Sequence, residues 1–280
     1  MEKAIKRYFP IFVLPTMIAF TLGFIIPFAE GVYLSFCKFT TVNDAKFIGL
    51  SNYAKVFKDS TFVHAFWYTA AFTVVSVILI NVLAFAVALL LTKGIKGTNV
   101  FRTVFFMPNL IGGIVRGYIW QLLLNGILMK FSRTLTYSST FGFWGLVILM
   151  CWQQIGYMMI IYIAGIQNIP GELIEAAEID GATKRQVLKS VTIPMVMPSI
   201  TVCTFLTLTN SFKLFDQNLA LTNGEPSKMS EMLALNIFNT FYGRAGYEGV
   251  GQAKAVIFFI LVAAIALTQN YLTRRKEVQQ

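Results

Sequence analysis

Charge is scarce in this 280-residue chain: Asp, Glu, Lys and Arg together make up 13% of it, about half the share of an average soluble domain. So few charges cannot clothe a water-exposed surface, and the soluble globular class is excluded. Histidine occurs once, at His64, where it has no second ligand partner and reads as interfacial. The cysteines are Cys37, Cys151 and Cys203. Their spacing fits neither a metal site nor a disulfide framework, and two of them lie in apolar segments, so they read as packing residues. No G-x-x-x-x-G-K-[ST] occurs, so the chain has no P-loop to cradle nucleotide phosphates. No catalytic triad, paired-carboxylate pocket or metal cluster stands out. These absences argue against an enzyme in its own right.

What is present is apolar. Hydrophobic residues make up 56% of the chain and the mean hydropathy is +0.65, which points to an integral membrane protein. The formal charge of +10 could suggest nucleic acid, but no basic–aromatic cluster supports that partner. Cations at the ends of membrane segments explain the excess. A bilayer-crossing helix needs about 20 mostly apolar residues. Six stretches meet that length, at residues 8–29, 65–92, 101–124, 141–167, 191–212 and 255–273. The first follows Lys3, Lys6 and Arg7 and mimics a signal peptide, but it is too long and lacks a convincing small-residue cleavage site, so it reads as a retained anchor.

Six spans place both termini on one side. That side would carry Lys3, Lys6 and Arg7, then Lys93, Lys96 and Arg102, then Lys184, Arg185 and Lys189, then Arg274, Arg275 and Lys276. The opposite side holds a set of similar size, including Lys38, Lys46, Lys55, Lys58 and Lys254, spread over longer connections that count for less. The termini and the connection after the fourth span are therefore expected in the cytoplasm.

That connection, residues 171–190, is the longest charge-rich interval between two apolar segments. It reads as two short helices. Glu172, Glu175, Glu178 and Asp180 load the first, with acid near its positive N-terminal end. Gly181 supplies a stop, and Thr183 a cap for the second. Ala176 and Ala177 are small enough to admit a partner's backbone. The hairpin is either a docking element or a solvated surface loop with ordinary salt bridges.

Three other segments carry polar groups at membrane depth. The third span holds Pro108, Gly112 and Gly113, which favour a bend, then Arg116 and Trp120. Continuous helical rise would put Arg116 roughly 20 Å beyond Arg102. There it faces a cavity or a partner, or snorkels to the outer surface. The fourth span carries Trp152, Gln153, Gln154 and Tyr157, the last three sharing a face. Amides and aromatics there suit a neutral, hydroxyl-rich ligand, or interhelical hydrogen bonds. The fifth carries Thr204, Thr207, Thr209, Asn210 and Ser211, then Lys213 and Asp216, as a pathway wall or a packing seam.

Glu175-Ala176-Ala177, Asp180-Gly181-Ala182 and Ile193-Pro194 together resemble the EAA loop of the membrane subunits of binding-protein-dependent ABC importers. Gly49-Leu50-Ser51-Asn52-Tyr53 is similar to the GL-NY element before the second span of the sugar-type members. Phe215-Asp216 with Leu221-Thr222-Asn223-Gly224-Glu225-Pro226 is similar to their FD…LT-GGP element, Asn223 and Glu225 standing where glycine is usual. The likeness covers residues 12–275 and implies an all-α integral membrane fold with six transmembrane helices, the type I importer transmembrane domain, as one permease domain over 1–280. It implies that Glu172, Glu175, Ala176, Ala177, Asp180, Gly181, Ala182 and Pro194 couple the chain to an ATPase. It implies that Trp120, Gln153, Gln154, Tyr157, Thr207, Asn210 and Ser211 line a carbohydrate pathway. The implied partners are a second homologous permease, two ATPase subunits that bind the ATP and magnesium, and an extracellular solute-binding protein, in a bacterial cell membrane. The chain itself would hold no cofactor.

Two other classes are weighed against this one. An ion-coupled secondary transporter predicts internal carboxylates or histidines as proton relays, and no span carries an acid at its centre. A non-transporting receptor or scaffold would not need the polar faces of the fourth and fifth spans.

Overall fold

In a computed structural model the described residues are 2–274, with side chains described for residues 9 and 11–273. Arg275 and Lys276 lie outside the described residues, as do the side chains of Lys3, Lys6, Arg7 and Arg274. The described chain is almost entirely helical, with one two-stranded hairpin. Four unbroken helices are long and apolar enough to cross a membrane: Ile11–Leu34, Ser60–Leu91, Ser139–Gln167 and Glu248–Thr273. Two bent pairs supply the other two spans, making six when each pair counts as one.

The third span bends, as Pro108, Gly112 and Gly113 favour, whereas the fifth, expected as one helix, is bent as well. Helix α5 (Thr98–Phe106) passes through a 3-10 turn at Met107–Leu110 and gives way to α6 (Gly113–Leu128). The axis turns by 102°. Pro108 cannot donate a backbone hydrogen bond, and Gly112 is extended at ψ 144, so the helical ladder stops here. The roughly 20 Å depth inferred for Arg116 assumed one straight axis, and it fails at this turn. The fifth span breaks similarly. A π-helical turn, Leu188–Thr192, and α10 (Ile193–Met195) meet α11 (Met197–Phe212) at 68°. Pro198, in the first turn of α11, has no N–H to return to the preceding turn.

The chain forms two compact units. The first runs to Ser60 and includes Ile237–Ile260. It contains α1 (Glu2–Phe20), a π-helical turn and α2 (Ile26–Leu34), a hairpin pairing β1 (Cys37–Lys38) with β2 (Lys46–Phe47), and α3 (Ser51–Lys58). The similarity to the GL-NY element has a structural reason here. Asn52 is buried and its Nδ2 donates to the carbonyls of Ser35, at 2.9 Å, and Cys37, at 2.8 Å. A methyl added at Gly249 would collide with that same Cys37 carbonyl. One amide thus satisfies two backbone acceptors that the hairpin cannot pair itself.

Lys254 was expected on the surface and is instead fully buried. Its Nζ donates at 2.8 Å to Asp59 Oδ2 and at 2.8 Å to Thr240 Oγ1. Deleting one partner of a buried, hydrogen-bonded charge pair costs about 3–5 kcal/mol. Lys254→Ala should lower the thermal midpoint of the detergent-solubilised protein by several degrees, whereas Lys228→Ala, at an exposed turn position, should leave it unchanged.

The second unit comprises Thr61–Asn236 and the chain from Leu261 onward. Its core is α4 (Ser60–Leu91) and α7 (Ser139–Gln167), with α11 against α7. The buried stripe of α4 runs Phe72, Ser76, Ile80, Ala84, Ala88, Leu91, the i, i+4 and i, i+3 spacing of one helix face. It narrows to alanines where neighbours approach closely. Tyr162 donates to Asn81 Oδ1 at 2.7 Å, and Asn81 Nδ2 donates to the Val77 carbonyl at 2.8 Å. Cys203 is packed on the Met158 carbonyl at 3.7 Å. All three cysteines are free.

Candidate functional site

The first candidate is the hairpin of α8 (Gly171–Ile179) and α9 (Lys184–Val187). Its turn is a Schellman motif. Gly181 N–H donates to the Glu178 carbonyl at 3.0 Å, and Ala182 N–H to the Ala177 carbonyl at 2.9 Å. The motif needs a left-handed residue, and Gly181 takes it at φ +77. Thr183 then caps α9 through Gln186, whose Oε1 accepts from the Thr183 N–H and hydroxyl, both at 2.7 Å. Two short helices that would fray alone are so held in one shape.

What the hairpin exposes follows from that shape. Glu172, Glu175, Ala176, Glu178, Asp180 and Gly181 are exposed, while Ala177, Ala182 and Pro194 are half-buried. Ile174 packs inward on the core, and Ile179 stands 85% exposed. Among the described residues, no cation of the chain pairs with Glu172, Glu175, Glu178 or Asp180. The ordinary salt bridges of a solvated loop are therefore missing there, and the acidic face is open to a partner's cations.

The second candidate is a cavity of about 380 Å³ lined by Asn109, Gln153, Gln154, Asn210, Lys213 and Asp216, with Gln217 and the apolar Met150, Leu214 and Phe215. Arg116 lies behind this lining, not in it. The residue is 6% exposed and its Nη1 donates to the Pro108 carbonyl at 2.9 Å. That carbonyl also accepts from the Ile111 N–H at 3.4 Å, so the arginine is a second donor to it at the break in the third span. Of the two sequence alternatives for this arginine, the structure supports the inward one. The Gln153 amide lies 2.9 Å from the Gln217 amide. Turned to place its oxygen toward Arg116, it accepts from Nη2 and Nη1 at 3.0 and 3.1 Å. Gln154 is 4% exposed and its Oε1 has no partner, an acceptor that costs stability unless something meets it.

Of the residues expected to line a pathway, Gln153, Gln154 and Asn210 come together at this cavity. Thr207 and Ser211 do not line it. Both are fully buried, with hydroxyls donating back to the carbonyls of Cys203, at 2.7 Å, and Thr207, at 2.8 Å. A hydroxyl one turn from a carbonyl prefers that bond when water is absent. Trp120 stacks edge-on against Trp152 with centroids 5.5 Å apart, and Tyr157 lies 6.4 Å from Phe106. Neither lines the cavity. Sequence reasoning missed Asn109 and Gln217. Each sits in a short break between apolar runs, where no periodicity marks its facing, and an amide among apolar residues is the sole signal.

The FD…LT-GGP element forms α12 (Asp216–Leu221) and the loop after it. Asn218 is its hub. Nδ2 donates to Thr222 Oγ1 at 3.0 Å and to the Ser230 carbonyl at 2.8 Å, and Oδ1 accepts from Met232 N–H at 2.9 Å. Asn223, which replaces a usual glycine, adopts φ +49, a left-handed angle asparagine tolerates. Helix α12 packs on α6, where Gly117 faces the Ala220 side chain. This contact carries the cavity-lining Asp216 and Gln217.

Comparison with known proteins agrees with this architecture. Residues 96–278 match the family described as binding-protein-dependent transport system inner membrane component. The probable starch degradation products transport system permease protein AmyD of Thermoanaerobacterium thermosulfurigenes is 43% identical over 96% of this chain and 94% of its own length. The multiple sugar-binding transport system permease protein MsmF of Streptococcus mutans is 29% identical over 99% of each. Among solved structures, a bacterial alginate ABC transporter in complex with an alginate pentasaccharide-bound periplasmic protein contains a chain that matches with a TM-score of 0.81, at 20% identity, over 98% of this chain and 97% of that one. The fold is therefore that of a type I ABC importer membrane subunit. With four to six spans and a family match over most of its length, the chain belongs to the inner membrane components of binding-protein-dependent transport systems and is a permease subunit of an ABC importer.

Proposed function

We propose that this permease, folded as one functional domain over its whole length, passes a neutral carbohydrate by alternating access. The observation that carries the substrate class is the cavity: amides from Asn109, Gln153, Gln154, Asn210 and Gln217, with Lys213 and Asp216 of opposite charge at its wall. Amides both donate and accept, and hydroxyl-rich ligands ask for both. Gln154 is among these lining amides, although its Oε1 is itself buried and would need a change of rotamer to meet a hydroxyl. AmyD and MsmF, by their names, serve starch products and multiple sugars, which supports the same class for this chain.

The remaining parts follow from that reading. A second, homologous permease completes the pathway, and a solute-binding protein delivers the sugar from outside. Two ATPase subunits bind ATP and magnesium, and the α8–α9 hairpin docks on one of them, with both termini of this chain in the cytoplasm. Glu172, Glu175 and Asp180 supply charge, Ala176, Ala177 and Ala182 close approach, and Gly181 and Pro194 the shape. Trp120, Tyr157, Thr207 and Ser211 act through the packing of the helices that carry the cavity residues.

Gln154→Leu tests the cavity. Removing one neutral hydrogen bond costs about 0.5–1.5 kcal/mol, or roughly 2–10-fold. The apparent KM for sugar uptake should rise by that factor while binding to the soluble solute-binding protein stays unchanged. An unaltered KM would remove the cavity from the pathway.

A further inference from the structure

Helix α3, at the foot of the first span, presents three faces rather than two. Asn52 and Val56 are buried and hold it to its own unit. Leu50, Ala54 and Phe57, at i, i+4 and i+7, form a second stripe that is exposed; Leu50 is 69% and Phe57 70% accessible. Lys55 and Lys58 form a third face beside that stripe, also exposed. On a soluble protein such a stripe would be a liability. The preceding hairpin repeats the pattern: Val42 and Phe47 are exposed, and so are Lys38 and Lys46. Among the described residues none of these four lysines is ion-paired with an acid of the chain. A nearby carboxylate, Asp44, accepts from the backbone N–H groups of Thr40 and Thr41, both at 2.9 Å, and feels the charge of Lys46 without forming an ion pair with it.

The height of this element is fixed. The first span ends at Leu34. The next residue, Ser35, is bonded to α3 twice: its carbonyl accepts from Asn52 Nδ2 at 2.9 Å, and its hydroxyl lies 2.7 Å from Tyr53 Oη. The apolar run of the first span stops before Glu30, so α3 is tied about 7–8 Å beyond it at the helical rise, within the headgroup layer. An amphipathic helix lying at that level buries its apolar stripe among the acyl-chain ends and its lysines among phosphates.

We infer that α3 with its hairpin is a lipid-binding element, and that Lys38, Lys46, Lys55 and Lys58 hold acidic phospholipid headgroups while Leu50, Ala54 and Phe57 enter the interface. The occupant is the membrane itself, argued from the complementarity of unpaired ammonium groups to phosphate and from continuity with the span. The element clamps the end of the first span to the bilayer surface. It rests on no assumption about the transported substrate.

The test uses the full chain, within its transporter, in nanodiscs of phosphatidylcholine alone or with one-third phosphatidylglycerol. A water-soluble amine-acetylating reagent should modify Lys55 and Lys58 at least 5-fold more slowly in the acidic discs, with the difference lost in 0.5 M NaCl, because exposed charge attraction is screened. A spin label on Phe57→Cys should collide with oxygen rather than with an aqueous nickel reagent in both disc types. Native mass spectrometry should show retained phosphatidylglycerol, reduced in the Lys46→Gln, Lys55→Gln, Lys58→Gln triple variant with uptake still measurable. The proposal is overturned if the Phe57 label is water-accessible, or if the lysines are equally reactive in both lipids. It is overturned equally if they are protected only when the solute-binding protein is added, which would make the face a protein-docking surface.

Discussion

Glu175→Lys should abolish sugar uptake while leaving the subunit in the membrane. Glu175 is exposed on α8 and has no intrachain cation among the described residues. Its replacement therefore costs the isolated fold little, since surface changes away from special features stay within about 0.5 kcal/mol. The Schellman turn and the Thr183–Gln186 cap are untouched, so the hairpin keeps its shape. What changes is the sign of the charge on the face proposed to meet the ATPase. Like charges brought together at an interface cost several kcal/mol, and 2.7 kcal/mol would correspond to about 100-fold. The expected result is normal abundance in the membrane fraction, loss of co-purifying ATPase, and uptake at background. Transport at the normal rate would show that α8 does not meet a cation there.

A second large effect is expected at Gly156, in the middle of α7. A methyl at this position would overlap the backbone carbonyl of Phe105, with the Phe106 nitrogen 2.8 Å away. These are main-chain atoms of α5, just before the 102° turn, and they cannot move aside as a flexible side chain would. Gly156→Ala should lose about 1–3 kcal/mol through overpacking. Gly156→Leu should push α5 off α7 and displace Pro108, Asn109 and the cavity wall with it. The detergent-solubilised Leu variant should aggregate or elute early on size exclusion. Gly126→Ala is the control: it lies in α6, and a methyl there meets nothing within 4 Å, so alanine's better helix propensity should leave stability equal or slightly higher. Equal thermal midpoints for Gly156→Ala and the parent would mean that α5 and α7 are not in contact.

The class, the spans and the shape of the α8–α9 hairpin were legible in the residues because each rests on local rules. Length and apolarity define a span whatever its neighbours are, and Gly181 with Thr183 dictates a turn and a cap through its own backbone. The family elements were legible too, although their reason was not: Asn52 and Asn218 act by bonding carbonyls 12 to 17 positions away in the chain. The cavity depended on tertiary structure altogether. Thr207, Asn210 and Ser211 look equivalent in sequence, yet the first and last spend their hydroxyls on their own helix while Asn210 faces the cavity. Asn109 and Gln217 join it because two breaks fold back, one at Pro108 and one at Phe215.

The sequence by itself determined that this chain lives in a bilayer, crosses it six times and carries an acidic handle between its fourth and fifth crossings, because hydropathy, helix length and turn chemistry are properties of neighbouring residues. Only the tertiary structure decided where Arg116 points, that Lys254 is buried, and which amides meet around the cavity. Those outcomes turn on helix bends, close glycine contacts and long-range hydrogen bonds, and a helix rotated by some tens of degrees about its axis would exchange side chains between lipid, core and cavity.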